Sequence, residues 1–116
     1  MSGDVKQFLL DFKHAATSGG VFLVPREGNM LTLQFLGLTK KNVEEILLGL
    51  SVADYAKGPI TDKDRPGDLW EFGKDIDGHE VYIKLKVVKD KSLAKCISFH
   101  IAKRQMKYPY RLKNQE

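Results

Sequence analysis

Hydrophobic residues change their spacing once along this chain, near residue 68. Before it they recur mostly at helical intervals, and beyond it they alternate. Val5, Phe8, Leu9 and Phe12 fall on one helical face, with Lys6, Asp11 and Lys13 on the others. Thr-Ser-Gly-Gly at 17–20 stops that helix, and the apolar run 21–24, bounded by Gly20 and Pro25, is predicted to be a short strand. Segment 29–38 satisfies two patterns. Leu31, Leu33 and Phe35 alternate, whereas Leu31, Phe35 and Leu38 make a helical stripe; Gly37 suits a helix C-terminal cap and tips the reading to helix. Thr39 is the expected N-cap of a helix over 40–50, whose Val43, Ile46, Leu47 and Leu50 form a buried stripe. Ser51 and Asp54 resemble a capping box, with Asp where Glu or Gln is usual, opening a short helix over 52–57 that Gly58-Pro59 ends. Residues 61–68 form a polar loop of alternating charge with a Pro-Gly turn.

From residue 69 the period is two. Strands over 69–74 and 79–88 flank Asp77-Gly78, a residue pair suited to the positive φ angles of a tight hairpin turn. A charged turn over 88–94 leads to a third strand over 95–101. Counting outward from a two-residue turn pairs Ile76 with His79, Phe72 with Ile83 and Trp70 with Leu85, so the apolar residues share one face. The same count sets Glu71 opposite Lys84 and Gly73 opposite Tyr82 on the other face, where Lys86 also points. In the third strand Lys95, Ile97, Phe99 and Ile101 share one side, and Cys96, Ser98 and His100 the other. With Ile97 and Phe99 toward the core, His100 joins Glu71, Tyr82 and Lys84. The expectation is one α+β domain over 1–116, helices first and then an antiparallel sheet, with no repeat and no internal linker.

The 116 residues suit a single domain, and 42% hydrophobic with 29% charged content suits a globular chain with a core. A net charge of +4 permits a polyanionic partner without requiring one, unless the charges cluster. The single cysteine, Cys96, has no internal disulfide partner, and no His/Cys spacing suggests zinc. The N-terminus carries an early acid and no long apolar run, and nothing approaches the roughly 20 apolar residues of a membrane helix. A cytoplasmic protein without a membrane partner is expected.

The polar sheet face supports two readings. It is either solvated, with Glu71 and Lys84 as a cross-strand ion pair worth a few tenths of a kcal/mol, or a site for cleaving a phosphodiester. Cleavage needs a base for the attacking hydroxyl, cations for the extra phosphoryl charge and an acid for the leaving oxygen. No carboxylate cluster for divalent metals is evident in the sequence, so a metal-independent route is expected. Arg65, in the loop before the sheet, is a candidate phosphate contact. Residues 103–113 interleave Lys103, Arg104, Lys107, Arg111 and Lys113 with Tyr108 and Tyr110. That pattern fits a single-strand binder or a loosely ordered tail. His14 and His79 carry no functional expectation.

Five ordered blocks resemble the MqsR family of toxins from bacterial toxin–antitoxin modules. They are Ile46-Leu47-Leu48-Gly49-Leu50-Ser51, Asp54-Tyr55-Ala56-Lys57, Leu69-Trp70, Val81-Tyr82-Ile83-Lys84 and Ile97-Ser98-Phe99. The resemblance runs from about residue 46 to residue 100 and is only in outline before that. It implies a RelE-like fold with helices on a curved antiparallel sheet. It also implies metal-independent, sequence-selective cleavage of mRNA, no cofactor, and a cognate antitoxin as partner. Lys57 and Tyr82 fall on the family's active-site lysine and tyrosine. Glu71 stands where the best-known member has glutamine, and His100 where it has lysine; both departures introduce groups able to carry a proton. The expected roles are Lys57 and Lys84 on phosphate, His100 or Glu71 in proton transfer, and Tyr82 stacking or donating a proton. Lys86, Arg65 and Arg104 are further expected RNA contacts. A non-catalytic RNA- or protein-binding module and an inert accessory domain are the competing readings.

Overall fold

Helical spacing in the first fifty residues yields three helices, and the alternation beyond residue 68 yields a three-stranded meander. In the computed structural model, which describes residues 2–111, the chain runs α1 (Ser2–Gly19), β1 (Val21–Leu23), α2 (Glu27–Leu36), α3 (Lys40–Leu48), β2 (Tyr55–Thr61), β3 (Asp68–Ile76), β4 (His79–Val88) and β5 (Leu93–Ile101). Single 3₁₀ turns lie at Val52–Asp54 and Lys89–Lys91. Of the basic C-terminal residues, Lys113 lies outside the described part. The strands form one sheet in the order β1-β5-β4-β3-β2, antiparallel except for the β1–β5 pair. The fold is α+β, helices packed on a mostly antiparallel sheet.

Local chemistry sets the helix ends. Gly37 takes a left-handed φ of 69° after α2. Thr39 and Asn42 cap α3 reciprocally: the Asn42 amide donates to Thr39 Oγ1 at 3.0 Å, and the Thr39 amide donates to Asn42 Oδ1 at 2.9 Å. The expected helix over 52–57 is instead one 3₁₀ turn followed by β2. The Asp54 carboxylate accepts from the Ser51 amide at 2.9 Å, closing that turn, and the chain then pairs with β3. Pro59, which lacks an amide proton, is tolerated because β2 is the sheet's edge. Gly58 has φ 129°, and a Cβ there would lie 3.0 Å from the Leu69 carbonyl oxygen, so this bend requires glycine.

The core lies between the helices and one sheet face. From α1 come Val5, Phe8, Leu9, Phe12, Ala15 and Ala16; from the sheet come Trp70, Phe72, Val81, Ile83, Leu85, Ala94, Cys96 and Phe99. Phe8 stacks on Trp70 with ring centroids 4.9 Å apart, which makes the tryptophan a core residue. Among the described residues no helix is long and apolar enough to cross a membrane.

The β3–β4 hairpin has the register that its turn implies, including Glu71 opposite Lys84 and Gly73 opposite Tyr82. The third strand of the meander departs from simple alternation. Lys84 pairs with Ser98 but Leu85 pairs with Cys96, so Ile97 is an extra residue, a bulge. Ala94 and Cys96 therefore turn into the core, whereas unbroken alternation placed Cys96 on the polar side. Lys95 and Ile97 are only half-buried, while Phe99 stays in the core. His100 remains on the polar face and pairs with Tyr82.

Candidate functional site

The polar face presents its side chains in register across four strands. Lys57 on β2 pairs with Glu71 on β3, Glu71 with Lys84 on β4, and Lys84 with Ser98 on β5. The next row is Gly73, Tyr82 and His100. The Tyr82 ring lies 5.1 Å from the His100 ring, and the Lys84 ammonium lies 5.9 Å from the Tyr82 centroid. Burial, and then the facing Glu71 carboxylate, push the Tyr82 phenol well above the ordinary tyrosine range, so it holds its proton. His100 Nδ1 lies 3.0 Å from the Ile101 carbonyl oxygen. A carbonyl only accepts, so a hydrogen bond here puts the neutral imidazole's proton on Nδ1 and leaves Nε2 as the basic nitrogen.

A second wall comes from the chain after β5, residues 102–111, which folds back over this face. Glu80, on the polar side of β4, holds it: Oε1 accepts from the Met106 amide at 3.2 Å and Oε2 from the Tyr108 hydroxyl at 2.7 Å. Burial and the Glu80 carboxylate raise the Tyr108 phenol above its usual value. Arg111 lies 3.8 Å over the Tyr108 ring and 3.4 Å from Asp54 Oδ1, and Tyr110 stacks on Tyr55 at 5.4 Å. Gly73 makes the crossing possible: a Cβ there would overlap Tyr108 Oη and sit 2.8 Å from Met106 Sδ.

Sheet and returning segment enclose an open cavity of about 540 Å³. Lys57, Glu71, Tyr82 and His100 line it from the sheet, and Lys103, Arg104 and Lys107 from the segment. Four cations thus face one carboxylate in a chain whose whole excess is +4. Such a cluster favours an anion. Among the described residues no group of His, Cys, Asp and Glu is arranged to hold a metal ion.

Two of the expected RNA contacts lie elsewhere. Lys86 is 2% exposed, and its ammonium sits 2.6 Å from Asp62 Oδ2 in the β2–β3 loop, so it is spoken for by that carboxylate. Arg65 is exposed on the same loop and lines a separate cavity of about 830 Å³ with Lys86, between that loop and α1. Lys84 does not line the 540 Å³ cavity but reaches Tyr82 from the adjoining position.

The Asp62–Lys86 pair has a testable pH signature. The hydrogen bond from Lys86 holds the Asp62 carboxyl down to about 2. A depressed folded pKa stabilises the protein above the unfolded value and loses that effect as pH falls through the folded one. Asp62→Asn is therefore expected to lower the melting temperature at pH 7, and the gap from the parent protein is expected to close between about pH 4 and pH 2. A gap that stays constant across that range would show that the pair does not produce it.

Sequence reasoning missed Glu80, Tyr108 and Gly73 as parts of one assembly. The available signal was Gly73, since a glycine inside a strand marks a site where another chain or a ligand comes close. Fold and site together define an α+β domain with a cationic cleft on its sheet face. Searches of protein-family models and of curated proteins gave no match to this chain.

Proposed function

We propose that this chain is an endoribonuclease that cleaves single-stranded mRNA at the Tyr82–His100 face, acting as the toxin of a toxin–antitoxin module. The observation that carries the catalytic part is the cavity where four cations surround a phenol, an imidazole and a carboxylate. The toxin role, the RelE-like kinship and an antitoxin partner rest on the MqsR-like blocks between residues 46 and 100.

In this reading His100 Nε2 takes the proton of a ribose 2′-hydroxyl as its oxygen attacks the adjacent phosphorus. The bond from phosphorus to the 5′-oxygen breaks, leaving a 2′,3′-cyclic phosphate and a 5′-hydroxyl. Tyr82, whose phenol holds its proton, protonates the departing oxygen, and solvent later returns a proton from His100 to Tyr82. Lys57 and Arg104 carry the charge on the non-bridging oxygens, with Lys84 adding field from beside Tyr82. Glu71, between Lys57 and Lys84 in the ladder, orients Lys57 and keeps Tyr82 protonated.

The test is incubation of the purified protein with single-stranded RNA in EDTA, together with induced expression in a bacterial host. Fragments ending in 2′,3′-cyclic phosphate and arrested growth are expected. RNA that is bound but stays intact, with normal growth, would replace this reading with a non-catalytic RNA-binding module.

A further inference from the structure

Residues 102–111 form a latched strap. Apart from the bond that the Ala102 amide gives the Glu80 carbonyl oxygen at 2.8 Å, the strap has no strand ladder, so side chains fix its path. Every anchor lies toward the scaffold: Tyr108 and the Met106 amide on Glu80, Arg111 on Asp54, and Tyr110 on Tyr55. The three cations at its start and middle behave differently. Lys103, Arg104 and Lys107 are exposed, line the cavity, and make no ion pair among the described residues. A segment that served only as a cover would have no use for three like charges held beside Lys57, where they repel one another. A polyanion relieves that repulsion.

We propose that this strap is the phosphate-gripping half of the RNA site, with Glu80 as its latch. This rests on the reading of the cleft as an RNA site and deepens it. Arg104 reaches the scissile phosphate with Lys57, Lys103 and Lys107 hold the phosphates of the strand that runs past it, and the Tyr82–His100 face takes a base or ribose. Glu80 touches no RNA. It is a positioning residue, acting through Met106 and Tyr108 to hold the cations at the rim, and Gly73 is the gap that lets Tyr108 seat.

The probe is a fluorescent 2′-O-methyl RNA oligonucleotide, which lacks the attacking hydroxyl, so binding is read without cleavage. Replacing Lys103, Arg104 and Lys107 together by alanine is expected to flatten the slope of log affinity against log salt by about 2 and to weaken binding about tenfold or more at low salt. Glu80→Ala gives the sharper test. By charge alone, removing a carboxylate from a cationic face tightens RNA binding. The latch predicts the reverse, a weakening of about tenfold with faster hydrogen exchange at Met106, while Glu80→Gln keeps acceptor oxygen and binds at least as well as the parent. If Glu80→Ala does not fold, Gly73→Val serves in its place, because it unseats Tyr108 without touching any charge.

A parent protein that binds and cleaves RNA, with strap variants that bind equally well, would overturn the strap and leave the nuclease reading standing. A parent protein that binds no RNA removes both.

Discussion

Replacing His100 with alanine is expected to slow RNA cleavage about a hundredfold or more, the usual scale for losing a positioned general base. Affinity for the 2′-O-methyl oligonucleotide should change little, since the cations remain. The expectation follows from placement: His100 pairs with Tyr82 in the β4–β5 register, lines the cavity, and has Nδ1 engaged by a carbonyl so that Nε2 is left to accept. His100→Lys separates the possible roles. If the position only supplies positive charge, as a lysine would where the best-known MqsR toxin carries one, lysine preserves the rate; if it takes a proton, lysine fails as alanine does. Single-turnover rates on a labelled oligonucleotide read this directly. Cleavage within a few-fold of the parent in His100→Ala would move the base elsewhere, with Glu71 the remaining group in the cavity able to accept a proton. The pH profile gives an independent check on Tyr82. Its phenol must be protonated to act as the acid, and its folded pKa is raised, so activity holds through the ordinary tyrosine range and falls only beyond it. Glu71→Gln removes one of the two influences that raise that pKa and is expected to bring the alkaline loss to lower pH.

The polar face was legible in the sequence because its register is local. A two-residue turn at Asp77-Gly78 fixes the hairpin, and every pair from Ile76–His79 to Trp70–Leu85 follows by counting. Lys57 was found by resemblance, but the helix it was expected to end is a strand. The signals at 52–57 were those of a helix start, and what overrode them was pairing with β3, a contact at long range. The Ile97 bulge escaped for a similar reason. Nothing in Lys-Cys-Ile-Ser-Phe-His marks an extra residue; alternation anchored on Phe99, beyond the bulge, left His100 on the right side and put Cys96 and Ile97, before it, on the wrong ones. Lys86 read as a free cation because its partner, Asp62, is 24 positions away in a loop whose path the sequence does not dictate. The strap was invisible as a wall for the same cause. Its composition fitted a single-strand binder or a loosely ordered tail, while its position depends on Glu80, Asp54 and Tyr55, all distant in sequence.

Asn29→Ala is expected to cost about 2–4 kcal/mol, more than most single changes outside the apolar core. Asn29 is 1% exposed, and its carboxamide makes three hydrogen bonds to backbone. Nδ2 donates to the Val24 carbonyl at 2.8 Å and to the Ile97 carbonyl at 3.0 Å, and Oδ1 accepts from the Phe99 amide at 2.9 Å. Strand β1 stops at Leu23, and Val24 gives its last bond to Cys96, so beyond that point β5 would be an unpaired edge buried under α2. The side chain takes the place of the missing strand. Alanine leaves the Phe99 amide and the Ile97 carbonyl without partners in a site closed to water, and the melting temperature should fall by about 10 °C or more. Asn29→Asp tests the geometry more finely. The carboxylate can still accept from Phe99, but it sets an unprotonated oxygen against two carbonyls, so this variant should be as unstable as alanine at neutral pH. It should recover part of the loss as pH falls and the carboxyl gains a proton to donate. A loss below about 0.5 kcal/mol in Asn29→Ala would mean that water satisfies the edge. The consequence reaches the cleft, because the two atoms Asn29 holds on β5 flank Ser98 just past the bulge that returns His100 to the polar face. Partial loosening of that edge should therefore lower cleavage at temperatures where the variant is still folded, through misplacement of His100 rather than loss of RNA binding.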